Sequence, residues 1–538
     1  MTKKRIFLYL GAIILLAVLL RIPSLIVGFV NIDENEYALA GRIINQGGIP
    51  YRDFLIYQPP LIYYLYALTF KLIPTLEIVD GMWWVHAMML LIVSATCLAI
   101  YAVGRRVFSS PVPALFAALF YAVFSTTFLP QDMLAANIEL VMVLPMTLAV
   151  LFFLKEKYAI AGLWVGLCIL TKYQGGILLP IFAVYLFYKQ RWRGWKGLIS
   201  VTLASSVPVF LWMLYLYKHQ ALPDAAHCFK YILSYAKGPP QSDGLYVTLK
   251  LIQRTFLLAI SSFGLWYFAC KALKSPWKDY TVLFVLWVFF GFIPVVAGGR
   301  LYFHYYIILY PPLALLAGDK VGEFFERVKQ MPFEKGAWRL TLFILMIFIP
   351  VTGFTAYATY KPFRPKSKDY WIYVVDYIRD RSKLTDPIFV WGYCPQIYTA
   401  SNRPPASRFI TADYLTGRSP KTAGLEYDPK TLQPPSVWTK LKNDFITPQN
   451  TIEYDTSDNI FPGSLDLLMA DFAKSPPEMI VDTSPSNYRM YGRYPLGKFP
   501  VLNDYVEKNY VFEATIRGMD IYRRKKSKIA TPASSGSR

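Results

Sequence analysis

Charged side chains are scarce in this sequence, and acidic ones scarcest. Asp and Glu number 35 against 56 Lys and Arg in 538 residues, and all four types together reach 17% while hydrophobic residues make up 55%. So little charge cannot cover a chain of this length in water, which excludes a string of soluble domains and requires apolar side chains to face lipid. Histidine is nearly missing, with 4 copies. No His-Glu-x-x-His or comparable ligand spacing occurs, so no cofactor is required, although His219, Asp224 and His227 in one loop leave a divalent cation possible. Of the 5 cysteines, Cys97, Cys168 and Cys270 lie in apolar runs. Cys228 and Cys394 fall in segments read as exterior, which leaves one disulfide possible. Internal repeats are lacking as well, and that weighs against the transporter architectures built from them.

What the chain does have is apolar runs close to the roughly 20 residues needed to cross a bilayer, such as Ile6 to Leu20, Pro111 to Leu129, Leu198 to Tyr217 and Thr281 to Ala297. The formal charge of +21 could suggest a nucleic-acid partner. The cations instead sit in short patches between apolar runs: Lys3 to Arg5, Arg105-Arg106, Lys155 with Lys157, Lys189 to Lys196, Lys271 to Lys278 and Lys320 to Arg339. That is the positive-inside pattern of a polytopic α-helical membrane protein. The first run lacks a small-residue cleavage pattern and reads as a retained helix.

If every basic patch faces the cytoplasm, only one crossing fits between Asn31 and Arg105. Met82 to Val103 has the length and no charge, so it crosses. Leu61 to Ile73 is short, carries Lys71 and follows Pro59-Pro60, so it lies at the interface or re-enters. Further spans near 111–129, 137–154, 158–171, 175–188, 198–217, 251–271, 279–298, 303–318 and 340–358 bring the expected count to about 11. This predicts a membrane domain over 1–358, with an outer loop at 31–81, and places the later loops that carry chemistry on the same exterior face. From Lys361 onward polar residues prevail, predicting an exterior soluble α/β domain over 359–525 and a disordered tail over 526–538. In that domain Asp369 to Arg381 reads as a helix with Ile372, Val375 and Ile378 inward. Ile388 to Trp391 and Met479 to Val481 read as buried strands, and Val511 to Ala514 with Met519 to Tyr522 as a closing pair.

Carboxylates are rare enough that their grouping carries information. Asp33, Glu34 and Glu36 follow the first span at the start of a helical pattern, where the helix amino end favours negative charge. An acidic exterior loop is the plainer reading of the same residues. Gln131 to Glu139 enters a span with Glu139 in its first turn, where a carboxylate needs a partner or a wet cavity. Lys172 stands in a tight outer turn. Arg300 and His304 are four apart, a spacing that on a helix would place them on one side. A guanidinium suits phosphate oxygens, although interfacial anchoring is the plainer reading of Arg300 among tyrosines. Carboxylates able to take a proton, opposed by cations able to hold a phosphate, outline a transferase with a lipid-phosphate leaving group. A lipid-linked sugar flippase or other multi-pass transporter is the alternative.

The run Asp33-Glu34-Asn35-Glu36-Tyr37, then Gly47 to Phe54 and Gln58-Pro59-Pro60, resembles the first outer loop of family 39-like glycosyltransferases of the GT-C fold. That group includes protein O-mannosyltransferases and the lipid A aminoarabinose transferase. Asn137 to Glu139, Leu170 to Lys172, Gly299 to Tyr305 and Phe389 to Gly392 extend the resemblance along the chain. It implies an inverting hexosyl- or pentosyltransferase that moves a sugar from a polyprenyl-phosphate donor to a lipid, glycan or protein acceptor. The reaction would occur at the periplasmic face of the cytoplasmic (inner) membrane. It implies Asp33 as the base and Glu34 as the acceptor-orienting carboxylate. Glu36 and Glu139 are expected to line the site, and Lys172, Arg300 and His304 to contact the donor phosphate. Relatives often carry a lysine just before the Pro-Pro pair, where this chain has Tyr57-Gln58. That absence leaves more of the phosphate to Arg300 or Lys172.

Overall fold

The computed structural model describes residues 1–236, 244–363, 371–418 and 460–525. They form two compact units, one from residues 1–363 and one from 371–418 with 460–525. The predicted tail at 526–538 lies outside the described residues.

The first unit is helical throughout: α1 (Lys3–Ile26), α2 (Asp33–Asn45), α3 (Leu61–Leu72), α4 (Ile78–Val107), α5 (Pro111–Phe124), α6 (Pro130–Met133), α7 (Ile138–Leu154), α8 (Tyr158–Thr171), α9 (Leu178–Gln190), α10 (Trp195–Lys218), α11 (Leu222–Ala236), α12 (Gly244–Ser261), α13 (Phe263–Leu273), α14 (Asp279–Val296), α15 (Tyr310–Lys329) and α16 (Phe333–Phe363). Five stretches among the described residues are long and apolar enough to cross a bilayer: α1, α4, Tyr173–Lys218, α14 and Phe333–Tyr360. The pair α12 and α13 would add a sixth. Four more apolar helices, α3, α5, α7 and α8, have only 12 to 17 residues, or about 18–26 Å of rise against a core of roughly 30 Å. The 12 residues of α3 fall well short of a crossing.

Two predicted spans take a different form. The stretch at 251–271 is bent by 107° between α12 and α13. The break falls at Ser262, whose backbone leaves the helical region while its amide and hydroxyl both donate to the Leu258 carbonyl, at 3.0 and 2.6 Å. The stretch at 303–318 begins as a 3-10 helix, Phe303–Leu309, and becomes α-helical only at Tyr310. Pro311 and Pro312 lack the amide a helix interior needs, so they fit its first turn, where that amide has no partner.

Glycines let the helices approach closely. A Cβ on Gly162 or Gly166 of α8 would sit 2.3 Å from the Val201 carbonyl or 2.5 Å from the Ser205 carbonyl of α10. On α15, a Cβ on Gly318 or Gly322 would meet Pro113 of α5 at 2.4 and 2.6 Å. Both pairs are small residues four apart, the spacing that brings helix backbones together in lipid.

The second unit contains α17 (Trp371–Arg381), β1 (Ile388–Trp391), α18 (Gln396–Ser401), α19 (Asp413–Thr416), α20 (Ser464–Lys474), β2 (Met479–Asp482), α21 (Pro500–Asn509), β3 (Tyr510–Ile516) and β4 (Met519–Arg524). Its sheet order is β1-β2-β4-β3, with β1 and β2 parallel and the other pairs antiparallel. Every residue of β1 and β2 is buried, as parallel strands covered on both faces require. The strands lie where the sequence predicts them. On α17 Val375 and Ile378 turn inward as predicted, while Ile372 is exposed and Val374 is buried in its stead. Gly392, at φ +146°, leaves a Cβ no room beside the Thr483 hydroxyl. The five cysteines are free thiols.

Candidate active site

The acidic motif opens α2, with Asp33, Glu34 and Glu36 in its first turn. Asp33 is half-buried, whereas Glu34 and Glu36 are buried. Glu34 is enclosed by protein. Its Oε2 accepts from the Val30 amide at 2.6 Å, and its Oε1 accepts from the Ala136 amide at 2.6 Å and faces His86 Nε2 at 3.0 Å. One carboxylate thereby ties the end of the first loop, α4 and the segment ahead of α7 to the residue that follows Asp33. Asn31 strengthens the same junction, donating to Asn137 Oδ1 at 2.7 Å, and Asn137 in turn donates to the Asp132 carbonyl at 3.1 Å.

Beside this junction Glu139, in the first turn of α7, forms a buried ion pair with Lys172 at the end of α8. Lys172 Nζ also lies 4.1 Å from the Tyr305 ring centroid. His304 Nδ1 meets Asp132 Oδ1 at 2.8 Å, and His304 lies within electrostatic range of both Glu139 and Lys172. Tyr37 of α2 lies within electrostatic range of Asp33, Glu36 and Glu139, which joins the two acidic groups into one cluster. Asp33, Glu36, Glu139, Lys172 and His304 are therefore brought together from four parts of the chain.

Arg300 and His304 do not share a helix face as their spacing predicts. The 3-10 turn Ala297–Gly299 ends before Arg300, Leu301 takes a positive φ of 54°, and a new 3-10 helix starts at Phe303. Lys172 has Glu139 as its partner.

Several groups that complete the centre are not among the predicted site residues. Arg254 of α12 is buried with its guanidinium 4.3 Å from the Phe303 ring centroid, and buried Lys250 lies one turn earlier. Thr255 and Tyr306 hydroxyls meet at 3.2 Å, fixing α12 against the 3-10 segment that carries His304. Arg21, buried in α1, donates to the Met133 carbonyl at 2.8 Å and to the Ser125 carbonyl at 3.1 Å, holding both ends of the loop that bears Asp132. Arg21, Lys250 and Arg254 are charged side chains inside apolar runs, which is the signal that could have found them. Asp132 and His86 were discoverable only as partners. No group of three or more His, Cys, Asp or Glu side chains suited to a metal gathers among the described residues.

Comparison with known proteins bears on the fold. The family described as dolichyl-phosphate-mannose-protein mannosyltransferase matches residues 57–217. ArnT from Cupriavidus metallidurans, solved with undecaprenyl phosphate, superposes with a TM-score of 0.61 at 13% identity, covering 98% of this chain and 99% of that one. The Archaeoglobus fulgidus oligosaccharyltransferase, solved with a tethered acceptor peptide, gives 0.56 at 12% identity over 98% and 74% of the two chains. The same archaeon's AglB, in complex with an inhibitory peptide and a dolichol-phosphate, gives 0.54 at 15% identity over 98% and 75%. No curated protein sequence matches the chain. The chain is a multi-pass membrane protein of the GT-C glycosyltransferase fold, and residues 57–217 carry the pattern of the mannosyltransferase family.

Proposed function

We propose that the chain transfers a single sugar from a polyprenyl-phosphate carrier to an acceptor hydroxyl at the outer, periplasmic face of the inner membrane. The observation that carries this reading is the convergence of Asp33 and Glu36 with the Glu139–Lys172 and Asp132–His304 pairs, while α12 brings Lys250 and Arg254 against the segment that bears His304. The basic patches between spans support that orientation.

In the proposed step the acceptor oxygen attacks the anomeric carbon as its proton passes to the Asp33 carboxylate. The bond from that carbon to the phosphate oxygen breaks, and its electron pair leaves on polyprenyl phosphate. One displacement inverts the anomeric centre. Asp33 suits the base because it is half-buried at the amino end of α2, whose dipole favours the carboxylate. Glu34 acts behind it as a positioning residue, since protein groups occupy its oxygens. Cations stabilise the departing phosphate: Arg254, Lys250 and Arg300 are offered by α12 and the turn before His304, and the lysine missing beside Pro59-Pro60 makes them the more necessary. In the comparison structures the carriers are undecaprenyl phosphate and dolichol-phosphate, which supports a polyprenyl-phosphate donor here.

A flippase would leave this centre without a task. The deciding experiment incubates purified protein in lipid with radiolabelled polyprenyl-phosphate hexoses and pentoses and follows release of polyprenyl phosphate. Release with at least one donor is expected from wild type, and about 10²–10⁴-fold more slowly from Asp33→Asn. Movement of donor across the bilayer without release would support the flippase.

A further inference from the structure

A membrane-crossing helix keeps an ionisable side chain only where that side chain has a partner. His86 is the one basic residue between Met82 and Val103, the apolar run of α4. It lies on the inward face with Met82, Val85, Met89 and Val93 at helical spacing, and none of its surface is exposed. Near the two ends of that run α4 has close neighbours: a Cβ on Gly81 would sit 2.7 Å from the Phe70 ring of α3, and one on Gly104 would sit 2.7 Å from Ala114 of α5.

The two ring nitrogens of His86 have different surroundings. Nε2 faces Glu34 Oε1 at 3.0 Å, whereas Nδ1 is buried and meets no partner among the described residues. A carboxylate only accepts, so Nε2 is the nitrogen that carries the hydrogen. Glu34 is thereby held by three donors, the Val30 amide, the Ala136 amide and His86. Val30 and Ala136 both lie outside regular helix. His86 is the one donor of the three that stands on a helix, so it is the one that can fix where the carboxylate sits.

What the carboxylate fixes in turn is the candidate site. Asp33 is the residue before Glu34, and the Ala136 peptide, whose carbonyl also accepts from the Tyr66 hydroxyl of α3 at 3.2 Å, leads directly into the first turn of α7 and Glu139. The structure assigns His86 as a positioning residue of the transfer step: its Nε2 hydrogen registers Glu34 against α4, and through Glu34 it sets both Asp33 and the entry to α7. A ring with no exposed surface does not reach substrate, so His86 acts through Glu34. This role rests on the proposed reading of Asp33 as the base.

Side-chain length provides the test. Gln places its amide nitrogen as many bonds from Cβ as Nε2 lies in histidine, whereas Asn reaches only as far as Nδ1, where the structure has no partner. His86→Gln should therefore keep the bond, and His86→Asn and His86→Leu should lose it. Full-length variants, shown by thermal melting to be folded, are compared by hydrogen exchange and by steady-state transfer. In His86→Asn and His86→Leu, peptides containing the Val30 and Ala136 amides should exchange about tenfold faster, and kcat should fall about tenfold while donor KM stays within a factor of about three. His86→Gln should remain within about threefold of wild type in both readouts. Should His86→Leu not fold, the contrast between His86→Gln and His86→Asn decides. Equal behaviour of those two variants, wild-type exchange and kcat in folded His86→Leu, or a rise in donor KM alone would overturn the proposal. Exchange needs no turnover, so a wild-type protein that transfers no sugar would remove the transferase reading, while the exchange rates would still decide whether His86 fixes this junction.

Discussion

Replacing Glu34 tests whether a buried carboxylate holds the catalytic base in place. Glu34→Ala removes two hydrogen bonds to backbone amides and strands the N–H groups of half-buried Val30 and buried Ala136, together with Nε2 of buried His86. Each stranded amide costs about 1–3 kcal/mol, so the loss of stability should be about 2–6 kcal/mol. Glu34→Gln should cost less, about 1–3 kcal/mol, because in either orientation its NH2 opposes one amide while its oxygen still serves the other. The effect on transfer follows from position: a shift of about 1 Å in Asp33 is enough to lower kcat roughly 10²-fold. Thermal unfolding in detergent and steady-state transfer would be measured on the same preparations. A folded Glu34→Gln enzyme should lose kcat while its KM for the donor stays within a factor of two or three (about 0.4–0.7 kcal/mol). Wild-type melting and wild-type kcat in Glu34→Ala would refute the reasoning, and a rise in donor KM alone would assign Glu34 to donor binding instead.

Other expectations follow from the same geometry. Lys172→Met leaves Glu139 buried without its cation and should destabilise the protein by about 3–5 kcal/mol in thermal or denaturant unfolding, whereas adding Glu139→Gln should recover much of the loss. Gly162→Ile drives a side chain into the Val201 carbonyl and should abolish the single folded peak in size-exclusion chromatography, while Gly11→Ala, with open space around it, should not. In the second unit burial pushes the Asp482 carboxyl up to about 6. A carboxyl raised in the folded state stabilises the fold below its unfolded value and loses that contribution as pH rises through about 6, on the order of 2–3 kcal/mol. Hydrogen exchange at Ile480 and Val481 should therefore quicken as pH rises from 4 to 6.5, after correction for intrinsic rates, and Asp482→Asn should flatten the change.

The sequence made the membrane class legible because a bilayer imposes one length and one composition on whatever crosses it. It also revealed the β1 and β2 strands, whose burial on both faces leaves unbroken apolar runs. The bend at Ser262 was hidden because a serine inside an unbroken helix, such as Ser94, makes the same bond to the carbonyl four residues back. Arg300 and His304 were paired on one face by a spacing rule that presumes continuous helix, and the positive φ of Leu301 breaks that premise. The Lys172–Glu139 pair joins groups 33 residues apart, and Glu34–His86 joins groups 52 apart. Their rarity in apolar surroundings marks them as needing partners, but only the fold selects which.

The measurement that tests the central claim most directly is the anomeric configuration of product formed by purified wild type and Asp33→Asn from a polyprenyl-phosphate sugar of known configuration. Inverted product from wild type, with turnover lowered about 10²–10⁴-fold in a folded Asp33→Asn protein, is predicted. Retained configuration, or undiminished turnover in the variant, would contradict single displacement with Asp33 as base.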